Sequence, residues 1–188
     1  MRCKDEEKAK SIKEAVIRLI LQEGFYGTSV SKIAREAGVS PATLYIYYDS
    51  KEDMLREIYR EYSEKISRCL LHGIQKEMEG RQLIRILVRR YYDYIRENAD
   101  IFNFVDQYSH CPSLAGGCVE MQGLSGVVEM ISLMKSRRII RDYHTDTVLT
   151  FLFYPVKAIA VDRRKTETEK ETLLEEMTGI LQETLLAQ

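Results

Sequence analysis

Between Thr28 and Lys51 the chain reads TSVSKIAREAGVSPATLYIYYDSK, a stretch whose donors suit gripping a polyanion by its backbone. Thr28, Ser29, Ser40 and Thr43 carry hydroxyls, Tyr45 and Tyr47 carry phenols on long rigid arms, and Lys51 adds a cation. Ala42 and Thr43 are small enough to reach base edges, where their methyl groups can pack on thymine methyls. Tyr45, Tyr47 and Tyr48 cannot all point the same way on a helix, and Tyr48 is the ring expected to face inward.

Catalytic chemistry is not expected. His72, His110 and His144 stand far apart, with no Glu-x-x-His or Cys partner around them, and His110 next to Cys111 in a loop does not make a facing pair. Cys3, Cys69, Cys111 and Cys118 are scattered singly at no zinc-ligand spacing, so neither a metal nor a cofactor is expected. They read as reduced thiols, with a redox role for Cys111 and Cys118 as the less favoured alternative.

Binding residues of this kind need a scaffold, and the same stretch supplies one. Ala34 is small where a second helix must approach, Gly38 four residues later can take a positive φ, and Ile33, Ala37, Val39 and Leu44 hold the pair together. Ser40-Pro41 then opens the second helix with a cap and a proline at its first position, leaving amides and a positive dipole end at the tip. This is a helix-turn-helix placed to enter a major groove. A purely structural helical hairpin in an interaction module or small-molecule-binding protein is the alternative.

The rest of the chain is also helical. Apolar residues recur at three and four almost throughout, predicting an all-α fold of about nine helices. The first spans about Asp5 to Glu23 and stops at Gly24, and a long one follows Ser50, whose capping box closes on Asp53. Helices are also expected over about Arg81–Asn98, Val119–Arg137, Thr145–Arg163, with Pro155 inside, and Thr168–Ala187, while Ile101–Val105 reads as an aromatic segment between them. The arginine doublets Arg89-Arg90, Arg137-Arg138 and Arg163-Arg164 read as solvated faces.

With 188 residues, 45% of them hydrophobic, and only three prolines and ten glycines, the chain can bury a substantial core and is neither disordered nor collagen-like. Its 28 Lys and Arg against 29 Asp and Glu give no bulk sign of a nucleic-acid partner, and residues 1–60 hold 11 basic and 10 acidic side chains. A head so close to neutral must rely on helix-end amides, hydroxyls and tyrosines more than on a lysine patch. The longest uncharged stretches, Gln107–Val119 and Thr147–Val156, are too short to span a bilayer, and the charged N-terminus is no secretory signal, so a cytoplasmic protein without membrane contact is expected.

Gly24-Phe25, Thr28-Ser29-Val30, Ile33-Ala34, Ala37-Gly38-Val39-Ser40, Thr43-Leu44-Tyr45, Tyr47-Tyr48 and Ser50-Lys51-Glu52 resemble, in order and spacing, the N-terminal signature of TetR-type transcriptional regulators. The resemblance covers about the first 60 residues. It implies a DNA-binding domain over residues 1–50 and an effector-binding and dimerisation domain over 51–188, in a homodimeric repressor released from a pseudo-palindromic operator by a small molecule. It further implies phosphate contacts from Tyr45, Tyr47, Lys51, Thr28 and Ser29, and base reading by Ser40, Pro41, Ala42 and Thr43. Pro41 stands where a basic or small residue is frequent, Ala42 where Gly is, Tyr47 where His or Phe is, and Val30 where a hydroxyl often is.

For the body only residue types remain. Tyr91, Tyr94, Phe102, Phe104, Tyr108, Met121, Leu124, Phe151 and Tyr154 are candidate walls of a pocket for a flat, partly apolar effector, with ordinary core packing as the competing reading. The amphipathic stripes of the last two helices suit a four-helix dimer interface, although packing within one chain accounts for them almost as well.

Overall fold

The computed structural model describes residues 5–75, 77–109 and 125–187. Its elements are α1 (Glu6–Gly27), α2 (Val30–Glu36), α3 (Pro41–Tyr47), α4 (Lys51–Leu71), α5 (Gly80–Glu97), α6 (Ala99–Ser109), α7 (Ser125–Ser136), α8 (Thr145–Val161) and α9 (Glu167–Leu185). The fold is all-α: among the described residues the helices are joined by turns and loops, and one antiparallel bridge links Ile140 and Leu186. The described parts of Met1–Ser63 and Asp100–Gly123 form one compact unit, and those of Glu64–Ala99 and Leu124–Gln188 a second.

In the first unit, short polar side chains set the helix starts. Asp5 accepts from the amides of Glu7 and Lys8 at the head of α1, Ser29 from that of Lys32 on α2, and Ser40 from that of Thr43 on α3. Ser50 Oγ accepts from Asp53 N at 3.0 Å, but the Asp53 carboxylate reaches back one residue further than expected, to Asp49 N at 3.3 Å. Gly24, at φ 70° and ψ 177°, breaks the regular helix where expected, and a last turn carries α1 on to Gly27. Ile12, Val16 and Leu19 of α1, Ile33 and Ala34 of α2, Leu44 of α3, Met54, Leu55 and Ile58 of α4, and Phe104 and Tyr108 of α6 bury one another. Each large apolar side chain so buried contributes roughly 1.5–3 kcal/mol, which holds three short helices that could not persist alone.

The second unit packs α5, α8 and α9 against one another. Leu83, Ile84, Leu87 and Val88 of α5, Val148, Leu152 and Val156 of α8, and Leu174 and Leu181 of α9 are all buried there. Chain segments 139–141 and 185–187 run antiparallel, with Arg141 N donating to Leu185 O at 2.8 Å and Ala187 N to Ile139 O at 3.0 Å.

Two expectations change, and a third is described only in part. The Ile101–Val105 segment belongs to a helix, α6, because Ile101, Phe104, Val105 and Tyr108 repeat at the spacing of one helical stripe. The helix expected from Val119 is described from Ser125, its earlier part lying outside the described residues. The Arg89-Arg90 doublet is not a solvated face: Arg89 grips Glu171 of α9 through two bonds of 2.9 and 2.6 Å, and Arg90 donates to the Leu70 carbonyl at 2.9 Å. Pro155 does lie inside α8.

Candidate nucleic-acid interface

The turn between α2 and α3 is closed by its own backbone. Val39 N donates to Ala34 O at 2.9 Å and Gly38 N to Arg35 O at 3.2 Å, the paired bonds of a Schellman ending, with Gly38 at φ 67°. Ala34, 1% exposed, allows the close approach of α3, and Leu44 anchors α3 from its inner side. Tyr48 is buried as expected, and burial, with Glu57 and Glu61 nearby, pushes its phenol well above the ordinary tyrosine range. It serves as core, not as a titrating group.

The hydroxyls and phenols divide into occupied and outward groups. Thr28 is buried and its Oγ1 donates to the Gly24 carbonyl at 2.9 Å, so it closes the end of α1 rather than facing solvent. Ser29 is exposed but spends its oxygen on the start of α2. Ser40 Oγ and Thr43 Oγ1 lie 2.9 Å apart, and Ser40 also accepts from Thr43 N at 3.2 Å, so both hydroxyls are engaged in the cap. The Tyr47 phenol donates to the Asp5 carbonyl at 3.2 Å and accepts from the Asp5 amide at 3.0 Å, tying α3 to the start of α1. Pro41, Ala42 and Tyr45 face outward, Tyr45 being 58% exposed.

Cations are similarly committed. Lys51 Nζ donates to the carbonyls of Phe25 and Thr28, each at 2.9 Å, and sits 4.0 Å from the Phe25 ring centre. It braces the end of α1 from α4, with one ammonium hydrogen left over. Arg18 pairs with Glu36, Lys32 with Glu23 and Lys13 with Glu61, so α1 is laced to α2 and α4 by these charges. Sequence reasoning missed these partners because they lie far along the chain, 48 residues apart for Lys13 and Glu61.

The nine effector-pocket candidates fall in the first unit, in the second, or outside the described residues. Phe104 and Tyr108 belong to the core of the first unit, where Tyr108 stacks on Tyr59 with centroids 4.3 Å apart, and Phe102 is buried. In the second unit Tyr94 is buried and Tyr91 meets Phe153 edge-on at 4.8 Å, whereas Phe151 and Tyr154 are exposed. Met121 and Leu124 lie outside the described residues. Two open clefts mark the second unit. One of about 500 Å³ is lined by Tyr154, Lys157 and Arg164 among others, and one of about 680 Å³ by Arg81, Arg138, Arg141 and Gln182 among others. Of the described candidates only Tyr154 lines either cleft. Cys69 is an exposed thiol, and Cys111 and Cys118 lie outside the described residues.

Residues 12–58, which hold α2, the turn and α3, match the family model of bacterial regulatory proteins, tetR family. A fatty acid metabolism regulator protein of Bacillus subtilis (strain 168) is 25% identical over 88 residues, covering 47% of this chain and 45% of that one. The chain spans about half the length of the curated relatives it matches. In overall fold it resembles a TetR family transcription regulator from Marinobacter aquaeolei VT8, with a TM-score of 0.79, 23% identity and all of both chains covered. It also resembles the transcriptional regulator FadR from Bacillus subtilis in complex with stearoyl-CoA, with a TM-score of 0.70, 16% identity, and 90% and 97% of the two chains covered. At such identities these two likenesses are of fold.

Proposed function

The chain belongs to the tetR family of bacterial regulatory proteins, and on that premise we propose that it is a homodimeric repressor that binds a pseudo-palindromic DNA operator and lets go when a small molecule binds its body. The observation that carries the reading is the backbone-closed turn at Gly38, which holds α3 with Pro41, Ala42 and Tyr45 outward. In this reading Tyr45 meets a phosphate, Tyr47 does so by turning its phenol hydrogen away from the Asp5 carbonyl, and Ser29 and the α3 start, Ser40, Pro41, Ala42 and Thr43, lie against the groove. Thr28 and Lys51 seat the end of α1, Lys51 offering its third hydrogen to a phosphate. DNA as partner places the protein in the cytoplasm and asks for no enzyme chemistry.

A second copy is expected on α8 and α9. Phe151, Tyr154 and Val161 of α8 and Ile180 of α9 are apolar or aromatic and 43–63% exposed, and burial against the same helices of another chain removes them from water. A partly apolar effector is supported by the FadR complex with stearoyl-CoA. The test is a mobility-shift titration at physiological salt with DNA upstream of the protein's own coding sequence against random DNA. Tighter binding to the former, reversed by stearoyl-CoA and not by coenzyme A alone, is the expected result. Equal affinity for both DNAs ends the regulator reading, and release by neither compound removes the acyl thioester as effector while leaving DNA binding intact.

A further inference from the structure

Nothing in α3 suits the purine code. Its seven residues, Pro41–Tyr47, read PATLYIY and hold no Arg, Lys, Asn, Gln, Asp or Glu, the side chains that pair in bidentate fashion with base edges in the major groove. The hydroxyls that remain, on Ser40 and Thr43, are engaged with each other and with the helix start. What the helix presents outward is apolar. At about 100° per residue, Pro41, Tyr45, Ala42 and Ile46 fall in sequence around one arc, and all four are exposed, Ile46 at 48%. Leu44 points to the core on the other side.

Building on the DNA-binding reading above, we propose that α3 selects its operator through thymine C5-methyl groups packed on Pro41, Ala42 and Ile46, with Ile46 as a specificity-determining residue. Ile46 is dispensable to the core of its own unit, to which it does not belong. An apolar side chain left in water gains by contact with another apolar surface, and in a major groove the thymine methyl is the apolar group a base pair offers. The patch is also ordered in advance: Pro41 has a fixed φ, Ala42 has no side-chain torsion to lose, and Ile46 in a helix is held largely to one χ1 rotamer. Little entropy is then lost on docking. Tyr45 falls within the same arc, 58% exposed, and its phenol remains available to the backbone.

The experiment begins with selection of a preferred site from a pool of random duplexes by the intact protein at fixed salt. Each thymine of that site is then replaced singly by deoxyuridine, which removes a methyl and changes no hydrogen-bonding group, and affinity is read by fluorescence anisotropy. At one or more positions in each half-site the replacement is expected to weaken binding about fourfold, the transfer value of one methyl group. Ile46→Ala, at an exposed helical position, is expected to keep its melting temperature, bind the thymine operator more weakly, and lose the distinction between thymine and uracil at one such position. If deoxyuridine is tolerated at every position, or if Ile46→Ala discriminates as the unaltered protein does, thymine-methyl reading by Ile46 is wrong while site-selective DNA binding stands. A protein that selects no sequence overturns both.

Discussion

At the scale of single residues, Gly38 and Lys51 show how much of the recognition end is held by backbone chemistry. A Cβ built on Gly38 meets nothing within 4 Å, so Gly38→Ala costs only the torsional penalty of φ +67°. That penalty is about 1–2 kcal/mol for a non-glycine residue. Urea unfolding should show a midpoint lowered accordingly with an unchanged slope, and an unchanged midpoint would mean that the turn relaxes without loss. Lys51 satisfies the carbonyls of Phe25 and Thr28, and Lys51→Met keeps much of the stem but leaves both oxygens without their donor. A charge-assisted bond contributes about 1.5–3 kcal/mol when well formed, and Lys51 makes both in a partly buried setting. The variant is expected to melt lower and to bind operator and random DNA more weakly by the same factor. A loss confined to the operator would make Lys51 a base-reading residue instead.

Between helices, the clearest electrostatic seam joins α5 to α9. The two hydrogen bonds from Arg89 hold the Glu171 carboxyl below its ordinary range, while burial raises Asp93 beside it. A lowered folded value means that the contribution of Glu171 is complete above the ordinary glutamate value of about 4.3 and is lost as pH falls through the lower folded value. Asp93 acts in the opposite sense, opposing folding at neutral pH and relaxing as it takes up a proton. Glu171→Gln should therefore lower the melting temperature at pH 7, by an amount that fits a pair worth no more than about 1 kcal/mol, and the gap from the unaltered protein should shrink by pH 3. A gap that stays constant with pH would show that packing, not charge, is what the substitution removes. This seam also marks where sequence reading reaches its limit. Ala34, Gly38 and Ser40-Pro41 act within a turn of themselves, so the helix-turn-helix is legible from spacing alone. Arg89 and Glu171 are separated by 82 residues, and nothing local distinguishes a bridging arginine from a solvated one. The hydroxyls of Thr28 and Thr43 were legible as chemistry but not as direction, since whether an oxygen closes a helix end or faces solvent depends on the completed fold. The aromatic candidates meet the same limit: Tyr108 and Tyr94 are the same residue type, yet one belongs to the first compact unit and the other to the second.

For the whole molecule, near-neutral charge and exposed apolar helices lead to two linked expectations. Tyr154→Glu together with Ile180→Glu places charges on the outward faces of α8 and α9, where the native side chains are 63% and 49% exposed. Sedimentation should find the double variant monomeric and the unaltered protein dimeric, with operator affinity falling because one head alone contacts half the site; a variant that remains dimeric would move the interface elsewhere. The second expectation concerns salt. Within residues 5–63, Lys13, Arg18 and Lys32 already have carboxylate partners and Lys51 has two carbonyls, whereas Arg35 and Arg60 are exposed with no ion pair among the described residues. If about two cations per head meet phosphates, a dimer releases about four counterions' worth of charge, and log Kobs should fall against log salt with a slope of about −4. A lysine-patch binder gives a slope closer to about −10. Anisotropy titrations across a range of salt concentrations on the selected operator measure this directly. A slope near the steeper value would mean that the internal pairs of α1 open on binding to release their cations, which in turn would make Glu36→Gln and Glu23→Gln tighten DNA binding rather than merely loosen the head.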